Sequence, residues 1–167
     1  GIDTGLNTAP QPDEYVRKTF ELNPESAYGY SVRGQLRFTR GEFQKAIRDL
    51  KNAFRSDPND PETLMFLCYI CLLTGRPQAA EPYLQKLLEV DPLTPINHCM
   101  PGFLHLMEGN AADVTPHYEA FYRMDPASPI ARLFFGWSLA LTNKADAACS
   151  MLDLLAGERY LDPYVQA

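Results

Sequence analysis

The chain has 167 residues, of which 46% are hydrophobic and 22% are charged, the composition of a soluble globular domain. Its net charge is −6, and such an acidic chain argues against a nucleic-acid-binding protein, because phosphate backbones are bound by clustered Lys and Arg. The longest apolar run, Leu64 to Leu73, falls short of the ~18 residues of a membrane-spanning helix, so we expect no membrane insertion.

The first residues, GIDTGLNTAP, contain neither an initiator Met nor the basic and apolar segments of a signal peptide. We therefore interpret the chain as a piece of a longer protein, with a flexible N-terminal segment over residues 1–11. Four cysteines are too few for a disulfide scaffold of this length and fit a reducing compartment, so we expect a cytoplasmic location.

A stop signal recurs along the chain at a fixed interval. Asp57-Pro58 returns as Asp91-Pro92 and again as Asp125-Pro126, with the same 34-residue spacing each time. Asp and Pro are residues that end one helix and begin the next, so the pattern predicts a 34-residue structural repeat.

Five further columns agree when the sequence is shifted by this interval. The first is small and mostly Gly, which lets two helices approach closely, the second is Gly or Asn, and the other three are mainly apolar. The columns are Gly34/Cys68/Gly102/Gly136, Gly41/Gly75/Gly109/Asn143, Ala46/Ala80/Val114/Ala148, Leu50/Leu84/Tyr118/Leu152 and Ala53/Leu87/Phe121/Leu155.

Each repeat is predicted to contain two short helices. In the second repeat a helix runs from Glu62 to Thr74, and Gly75 is its left-handed terminator, a role that Asn143 can take in the fourth repeat. The second helix begins near Gln78 and places apolar side chains on one face at three- and four-residue steps, until the Asp-Pro stop.

This unit resembles the tetratricopeptide repeat, in which a small residue in the first helix is followed by Ala and a large apolar residue in the second and by a closing Pro. The matching residues are Tyr30, Gly34, Ala46, Leu50 and Pro58 in the first repeat, Leu64, Leu67, Ala80, Leu84 and Pro92 in the second, and Phe135, Gly136, Leu139, Ala148 and Leu152 in the fourth. The third repeat is the most degenerate, with His98, Pro101 and His105 at apolar positions. The resemblance implies an all-α fold, a right-handed α-solenoid of stacked antiparallel helix pairs.

The resemblance also implies one domain over residues 12–167. Its parts are a partial repeat at 12–24, repeats at 27–60, 61–94, 95–128 and 129–163, and the start of a truncated repeat at 164–167. The fourth repeat closes three residues late, at Asp162-Pro163. The array is similar to those attached to bacterial signalling proteins such as serine/threonine kinases, adenylate cyclases and winged-helix regulators, which implies a larger bacterial signalling or regulatory protein.

In tetratricopeptide arrays the first helix of each pair lines a concave surface that is the usual partner site. The residues expected on it here recur at 34-residue spacing, and the middle set is aromatic in three repeats. The predicted partner-binding groove consists of Met65, Tyr69, Leu73, Cys99, Phe103, Met107, Leu133, Trp137 and Leu141, with Gln35 at a polar end beside Ser31 and Thr39.

An apolar stripe on a helix is usually core, and that interpretation stays open. One observation opposes a purely core role. The segment 64–73 is apolar on every side of its helix, so any side that is not packed would expose a large apolar patch. The cover of such a side is a peptide or helix of another protein, a missing segment of the parent chain, or a second copy of this chain. Co-chaperone members of the family bind a C-terminal carboxylate through Lys, Arg and Asn on this surface. The groove positions here carry none of these residues, so we predict that the partner binds through apolar side chains instead.

Three arginines interrupt the apolar pattern of the first repeat. Arg33 and Arg37 occupy apolar positions of the family, and Arg40 continues the stripe. One interpretation pairs them with acidic residues of the preceding half-repeat, for instance Asp13, Glu14 or Glu21, and the alternative is an anion-binding edge.

Two groups of residues have side chains of the types that bind metals or undergo redox chemistry. Cys68 and Cys71 form a C-x-x-C on one helix, but Cys68 fills the small column, which favours a core position. His98 and His105, with Cys99, lie two helical turns apart, about 10 Å by helical rise, and Pro101 between them can kink the helix. We predict no metal site and no cofactor.

The sequence shows no G-x-S-x-G, no glycine-rich phosphate loop and no H-E-x-x-H, so we predict a protein that is not an enzyme. His117 is expected at solvent or a packed edge, and Glu42 and Asp49 are interpreted as carboxylates of a solvated surface. Pro82 and Pro116 occupy equivalent places in the second helices, so either those helices begin late or they bend.

The prediction is therefore a non-catalytic protein-interaction scaffold that binds a peptide or helix with apolar anchors in its groove. The alternative is a homo-oligomerisation or intramolecular regulatory module, with a homodimer formed through the same groove. An enzyme or metal protein built on His98, Cys99 and His105 is the third hypothesis, and it predicts metal that copurifies with the protein.

Overall fold

The computed structural model describes residues 12–155, and the predicted flexible segment 1–11, the close of the fourth repeat and the truncated start at 164–167 lie outside them. Within residues 12–155 the chain forms nine α-helices, one 3-10 helix and no strand. They are α1 (Pro12–Leu22), α2 (Ala27–Thr39), α3 (Phe43–Ser56), α4 (Pro61–Leu73), α5 (Pro77–Val90), the 3-10 helix (Pro95–Cys99), α6 (Met100–Met107), α7 (Ala111–Met124), α8 (Pro129–Leu141) and α9 (Ala145–Asp153).

The helix ends follow the residues that the sequence places there. Gly41, Gly75, Gly109 and Asn143 all have positive φ, of 73°, 69°, 81° and 58°, which confirms the predicted left-handed terminators. At the other end, a polar side chain caps several helices: Ser26 and Ser128 accept hydrogen bonds from the backbone N–H three residues further on. The 34-residue interval is therefore the length of one capped helix pair and its turns.

Contacts divide the chain into two compact units, Gly1–Ile70 (unit 1) and Cys71–Ala167 (unit 2). In unit 1, α2 packs on α3, and α1 packs on α2. The core of this pairing is formed by fully buried Ala46 and Leu50 and by Ala53, which is 1% exposed. A methyl group added to Gly34 would lie 2.7 Å from Leu50 Cγ, so only Gly lets α2 and α3 approach this closely.

In unit 2, α6 packs on α7, α7 on α8, and α8 on α9. The buried side chains between them include Val114, Tyr118 and Phe121, all on α7. Gly102 and Gly136 repeat the close approach seen at Gly34: an added methyl group would lie 2.5 Å from the Tyr118 ring and 2.8 Å from Leu152. The prediction that the Gly column marks helix contacts is confirmed at these positions.

The second helices do not begin late, since Pro82 lies inside α5 and Pro116 inside α7. Neither proline can donate to the carbonyl four residues earlier, at Gln78 or Ala112. Both prolines and both earlier residues are exposed, so these carbonyls stand where water can hydrogen-bond to them.

The first helix of the third repeat is broken, as its proline suggests. A 3-10 helix ends at Cys99 and α6 starts at Met100, with Pro101 in the first turn, where its missing N–H costs no helical hydrogen bond. His98 therefore lies on the 3-10 helix and His105 on α6.

Candidate functional site

Exposed apolar side chains of unit 2 concentrate on the first helices of the third and fourth repeats. Met107 on α6 is 50% exposed, and Trp137 and Leu141 on α8 are 38% and 49% exposed. The neighbouring Leu106 and Ile130 each expose 41% of their surface. We call the α6/α8 side chains Phe103, Leu106, Met107, Ile130, Trp137 and Leu141 the apolar face.

Ring contacts join α6 to α8 beneath this face. The Phe103 and Phe134 rings meet edge to face with centroids 5.1 Å apart, and the Phe134 ring is 5.8 Å from that of Trp137. Phe103 also contacts Tyr118 of α7 at 5.8 Å. Because aromatic pairs of this geometry stabilise one another, Phe103 and Trp137 belong to one packed group rather than to two independent surface positions.

Two predicted groove residues are not on the surface. Cys99 has no exposed surface at the end of the 3-10 helix, and Leu133 is 5% exposed because it packs against Leu155 and Leu152. The expectation that these two side chains line an open groove is therefore corrected: they belong to the core. Leu73, at the end of α4, is by contrast 65% exposed.

Burial makes the Cys99 thiol unreactive, which gives a first test of the placement. Burial raises the pKa of Cys99 to about 12, and since the thiolate is the reactive form, only about one thiol in 10,000 is ionised at pH 8. We expect iodoacetamide at pH 8 to modify the exposed Cys149 rapidly and Cys99 only in urea, as measured by peptide mass spectrometry. Rapid alkylation of Cys99 in the folded protein would contradict its placement in the core.

The predicted groove residues of unit 1 are half-buried. Met65 and Tyr69 of α4 and Gln35 of α2 all retain part of their surface. The Tyr69 ring lies 6.4 Å from Phe66, which in turn meets Phe38 of α2 at 5.3 Å. These rings anchor α4 on α2 within unit 1.

The polar end of the predicted groove is a structural hydrogen-bond network. Ser31 is buried, and its Oγ lies 3.1 Å from Asp60 Oδ2 and 2.9 Å from Oγ1 of buried Thr63, which also contacts Asp60 Oδ2. The Gln35 amide donates to Glu62 Oε2 at 2.9 Å and to Ser31 Oγ at 3.3 Å. This network ties α2 to the start of α4, where Asp60 also caps the helix by accepting from Thr63 N.

Arg33, Arg37 and Arg40 all pair with carboxylates, and the first two share a buried one. Arg33 donates twice to Asp49, at 2.9 and 2.8 Å, and Arg37 donates to the same carboxylate at 2.6 Å. Asp49 is only 3% exposed, so its interpretation as a solvated surface residue is wrong. The bidentate bond to Asp49 raises the pKa of Arg33.

Arg40 follows the first interpretation, since it forms a bidentate pair with Asp13 of α1 at 2.8 and 2.7 Å. Arg33 also stacks over the Phe20 ring of α1, with its guanidinium carbon 4.4 Å from the ring centroid. The stripe of arginines therefore fastens α1, α2 and α3 together. The sequence pattern did not predict that Asp49 accepts hydrogen bonds from both Arg33 and Arg37.

Within residues 12–155 no group of three or more His, Cys, Asp or Glu side chains could hold a metal ion. His98 Nε2 is engaged at 2.8 Å with the carbonyl oxygen of Pro92. His105 stacks on His117 of α7 with centroids 5.2 Å apart, a contact that the sequence interpretation did not foresee. In the same range no helix is both long and apolar enough to cross a membrane.

Taken together, helix pairs of fixed length, glycines at their crossings and a left-handed turn between them define a helical-repeat protein. The family model for the tetratricopeptide repeat matches residues 37–96. No curated protein matches the chain.

Solved structures with the same fold extend the match over most of the chain. PilF of Pseudomonas aeruginosa has a TM-score of 0.74 and 22% identity over 84% of this chain and 64% of that one. A tetratricopeptide repeat protein of Parabacteroides merdae has a TM-score of 0.72 and 17% identity over 84% and 55%. YrrB, a protein of this type with an unusual peptide-binding site, has a TM-score of 0.63 and 22% identity over 83% and 72%.

The chain thus spans between half and two thirds of the lengths of the first two proteins. At these identities the likeness concerns the fold, and it confirms the predicted all-α solenoid class. Together with the family model over residues 37–96, it confirms the resemblance to the tetratricopeptide repeat on which the repeat interpretation depends.

Proposed function

We propose that the chain is a non-catalytic protein-interaction module, and that the apolar face of unit 2 binds a peptide or helix with apolar anchors. The observation that supports this most directly is the exposure of Met107, Trp137 and Leu141 on α6 and α8, which is unusual for large apolar side chains grouped on neighbouring helices. Burying the remaining half of such a side chain contributes about 1 kcal/mol, so several anchors are needed to offset the cost of association.

The chemistry of the face favours an apolar over a charged partner. Its six side chains carry no charge, and the nearest charged residue in sequence, Glu108, follows Met107 at the end of α6. Apolar grooves of this kind accept amphipathic helices through anchors three or four residues apart, or extended segments through alternate side chains. We infer a partner segment with two to four large apolar residues, and we assign it no compensating charge.

The setting that we propose is a larger cytoplasmic protein of bacterial signalling or regulation, in which this module recruits a partner. YrrB is described as having a peptide-binding site, and that property is carried to this chain only as support for the peptide mode. A homodimer formed through the same face is the alternative, because an exposed apolar surface also suits a second copy.

The single tryptophan, Trp137, gives the test, because it lies on the apolar face. Acrylamide quenching of its emission would be measured over a hundredfold range of protein concentration, with sedimentation velocity on the same samples. We expect concentration-independent quenching and a monomer, and random 16-residue peptides selected by phage display should then reduce the quenching. A tryptophan that becomes accessible only on dilution would show that the face is filled by self-association. Peptides that bind without protecting Trp137 would overturn the assignment of the face.

A further inference from the structure

Two imidazole rings lie face to face between the helices of the third repeat. His105 of α6 and His117 of α7 have ring centroids 5.2 Å apart and planes inclined by 19°. His105 Nδ1 is buried and, within the described residues, has no hydrogen-bond partner. An unpaired buried nitrogen is tolerable on a neutral ring but costly on a charged one, since the added N–H would lack an acceptor.

The repeat itself shows that this position can carry charge when the charges are opposite. His105 and His117 occupy, two repeats further on, the same two columns as Arg37 and Asp49, which form an ion pair at 2.6 Å in the first repeat. In the third repeat both members are bases. If both rings carried a proton, two positive charges would lie at stacking distance and repel each other, whereas Arg37 and Asp49 attract each other in the first repeat.

We propose that the stacked His105–His117 pair is a pH-sensitive contact, which holds α6 against α7 while its rings are neutral and releases the two helices when acid protonates His117. The inference does not depend on the proposed function, although Leu106 and Met107 of the apolar face follow His105 directly in α6. Release would therefore disturb that end of the face.

The groups around His117 act mainly against its protonation. Burial is the largest cause that lowers the pKa of His117, followed by the charge of His105, and His98 of the 3-10 helix acts in the same direction. Asp113, one turn earlier on α7, opposes them.

Several other charged groups on the surrounding helices pair with groups other than the two rings. On α7, Glu119 pairs with Arg123, and the one charged residue of α8, Arg132, donates to the Pro126 carbonyl. Glu108, which follows the last residue of α6, accepts a hydrogen bond of 3.5 Å from Gln78 of α5. Helix α5 also carries Glu81 and the pair Lys86–Glu89.

The direction of the pH effect follows from this lowered pKa. A His117 that binds protons less readily in the folded state than in the open state contributes stability at and above the open-state pKa of about 6.5. That contribution falls as the pH drops below 6.5, until the folded-state pKa is reached. Each extra proton taken up on opening raises the opening constant by up to ~10-fold per pH unit.

The experiment compares the wild-type chain with the His117→Phe variant. Its phenyl ring can still stack on His105 but cannot be protonated. Hydrogen exchange measured by mass spectrometry at pH 7.5 and 5.5, corrected for intrinsic rates, should show protection of α6 and α7 falling several-fold more than that of α2 and α3. His117→Phe should abolish the difference, whereas His98→Gln, which leaves the stack intact, should keep it. Equal changes in both helix pairs of the wild-type chain would overturn the proposal.

A second measurement decides the matter even if His117→Phe folds poorly. The chain has three histidines, so their Cε1–H signals can be titrated by NMR in the wild-type protein. His98→Gln and His105→Gln each remove one signal, and the signal that remains in both variants belongs to His117. We expect one signal, from His117, to titrate below 6.5 together with shifts of α6 and α7 amides. Titration of His117 at or above 6.5 would refute the proposal.

Discussion

Replacing Asp49 with Asn is expected to lower the free energy of unfolding by about 2–4 kcal/mol, a large share of the stability of a domain this size. The carboxylate is 4% exposed and accepts from both Arg33 and Arg37, whose side chains are 32% and 29% exposed. Without it two partly buried guanidinium groups face each other with no counter-charge. Their residual contact with water is the reason to expect a loss at the lower end of the range for buried pairs. Urea unfolding followed by circular dichroism measures the effect.

Asp13→Asn is the matched control, because Asp13 also forms a bidentate pair with an arginine, Arg40, but at the surface. Both arms of that pair are solvated, so the unfolding midpoint should barely move. A further variant, Arg37→Leu in the Asp49→Asn background, removes one unpaired charge and restores the apolar residue usual in the family, and it should recover part of the loss. Equal losses for Asp49→Asn and Asp13→Asn would contradict the assignment of Asp49 as a buried acceptor.

The repeat period and the helix ends could be predicted from the sequence because each depends on one residue type at one place. Gly41 and Asn143 stand where the chain needs a positive φ, and few residues other than Gly and Asn accept it at low cost. Gly34 is equally constrained, since any side chain would meet Leu50. A residue type that local geometry requires recurs at the equivalent position of each repeat, so it is found when the sequence is aligned with itself at a shift of one repeat length.

The partners of polar residues are harder to predict. Each alignment column lists equivalent residues of different repeats, so a single column does not show which residues of the two helices within one repeat are in contact. Arg37–Asp49 and His105–His117 lie twelve residues apart in equivalent columns, and the same pairing recurs as a contact in both repeats. A polar residue in an otherwise apolar column therefore indicates a polar partner twelve residues further on, in the facing helix.

The exposure of the predicted groove residues could be predicted only in part, for a related reason. A groove position in one repeat need not be a groove position in the next when the helix geometry changes. Cys99 ends a 3-10 helix rather than continuing α6, and Leu133 is covered by Leu152 and Leu155. The 34-residue spacing predicts where an average helix lies but not such local differences. That Cys99 and Leu133 are buried while Met107 and Leu141 are exposed is seen only in the structure.

Trp137→Ala is expected to weaken binding of a peptide selected on the wild-type chain by about 30-fold or more, the loss usual for a central aromatic anchor. Trp137 exposes 38% of its surface beside the Phe134 ring, so it offers a partner both area and a rigid edge. Leu141→Ala, which removes a side chain 49% exposed on the same helix, should cost roughly 5-fold to 10-fold. Anisotropy of a fluorescein-labelled peptide measures both, since it does not depend on tryptophan emission.

The control for both variants is Leu93→Ala, because Leu93 is 83% exposed in the segment between α5 and the 3-10 helix and lies on neither α6 nor α8. It removes more exposed apolar surface than Leu141→Ala without touching the proposed face, and the affinity of the variant should stay within about 2-fold of wild type. Trp137 also packs inside unit 2, so its variant requires a melting curve, whereas Leu141 is exposed enough that its loss of affinity reports contact alone. If Leu141→Ala and Leu93→Ala weaken the peptide equally, exposed apolar area of any kind attracts it, and the α6/α8 face is not its site.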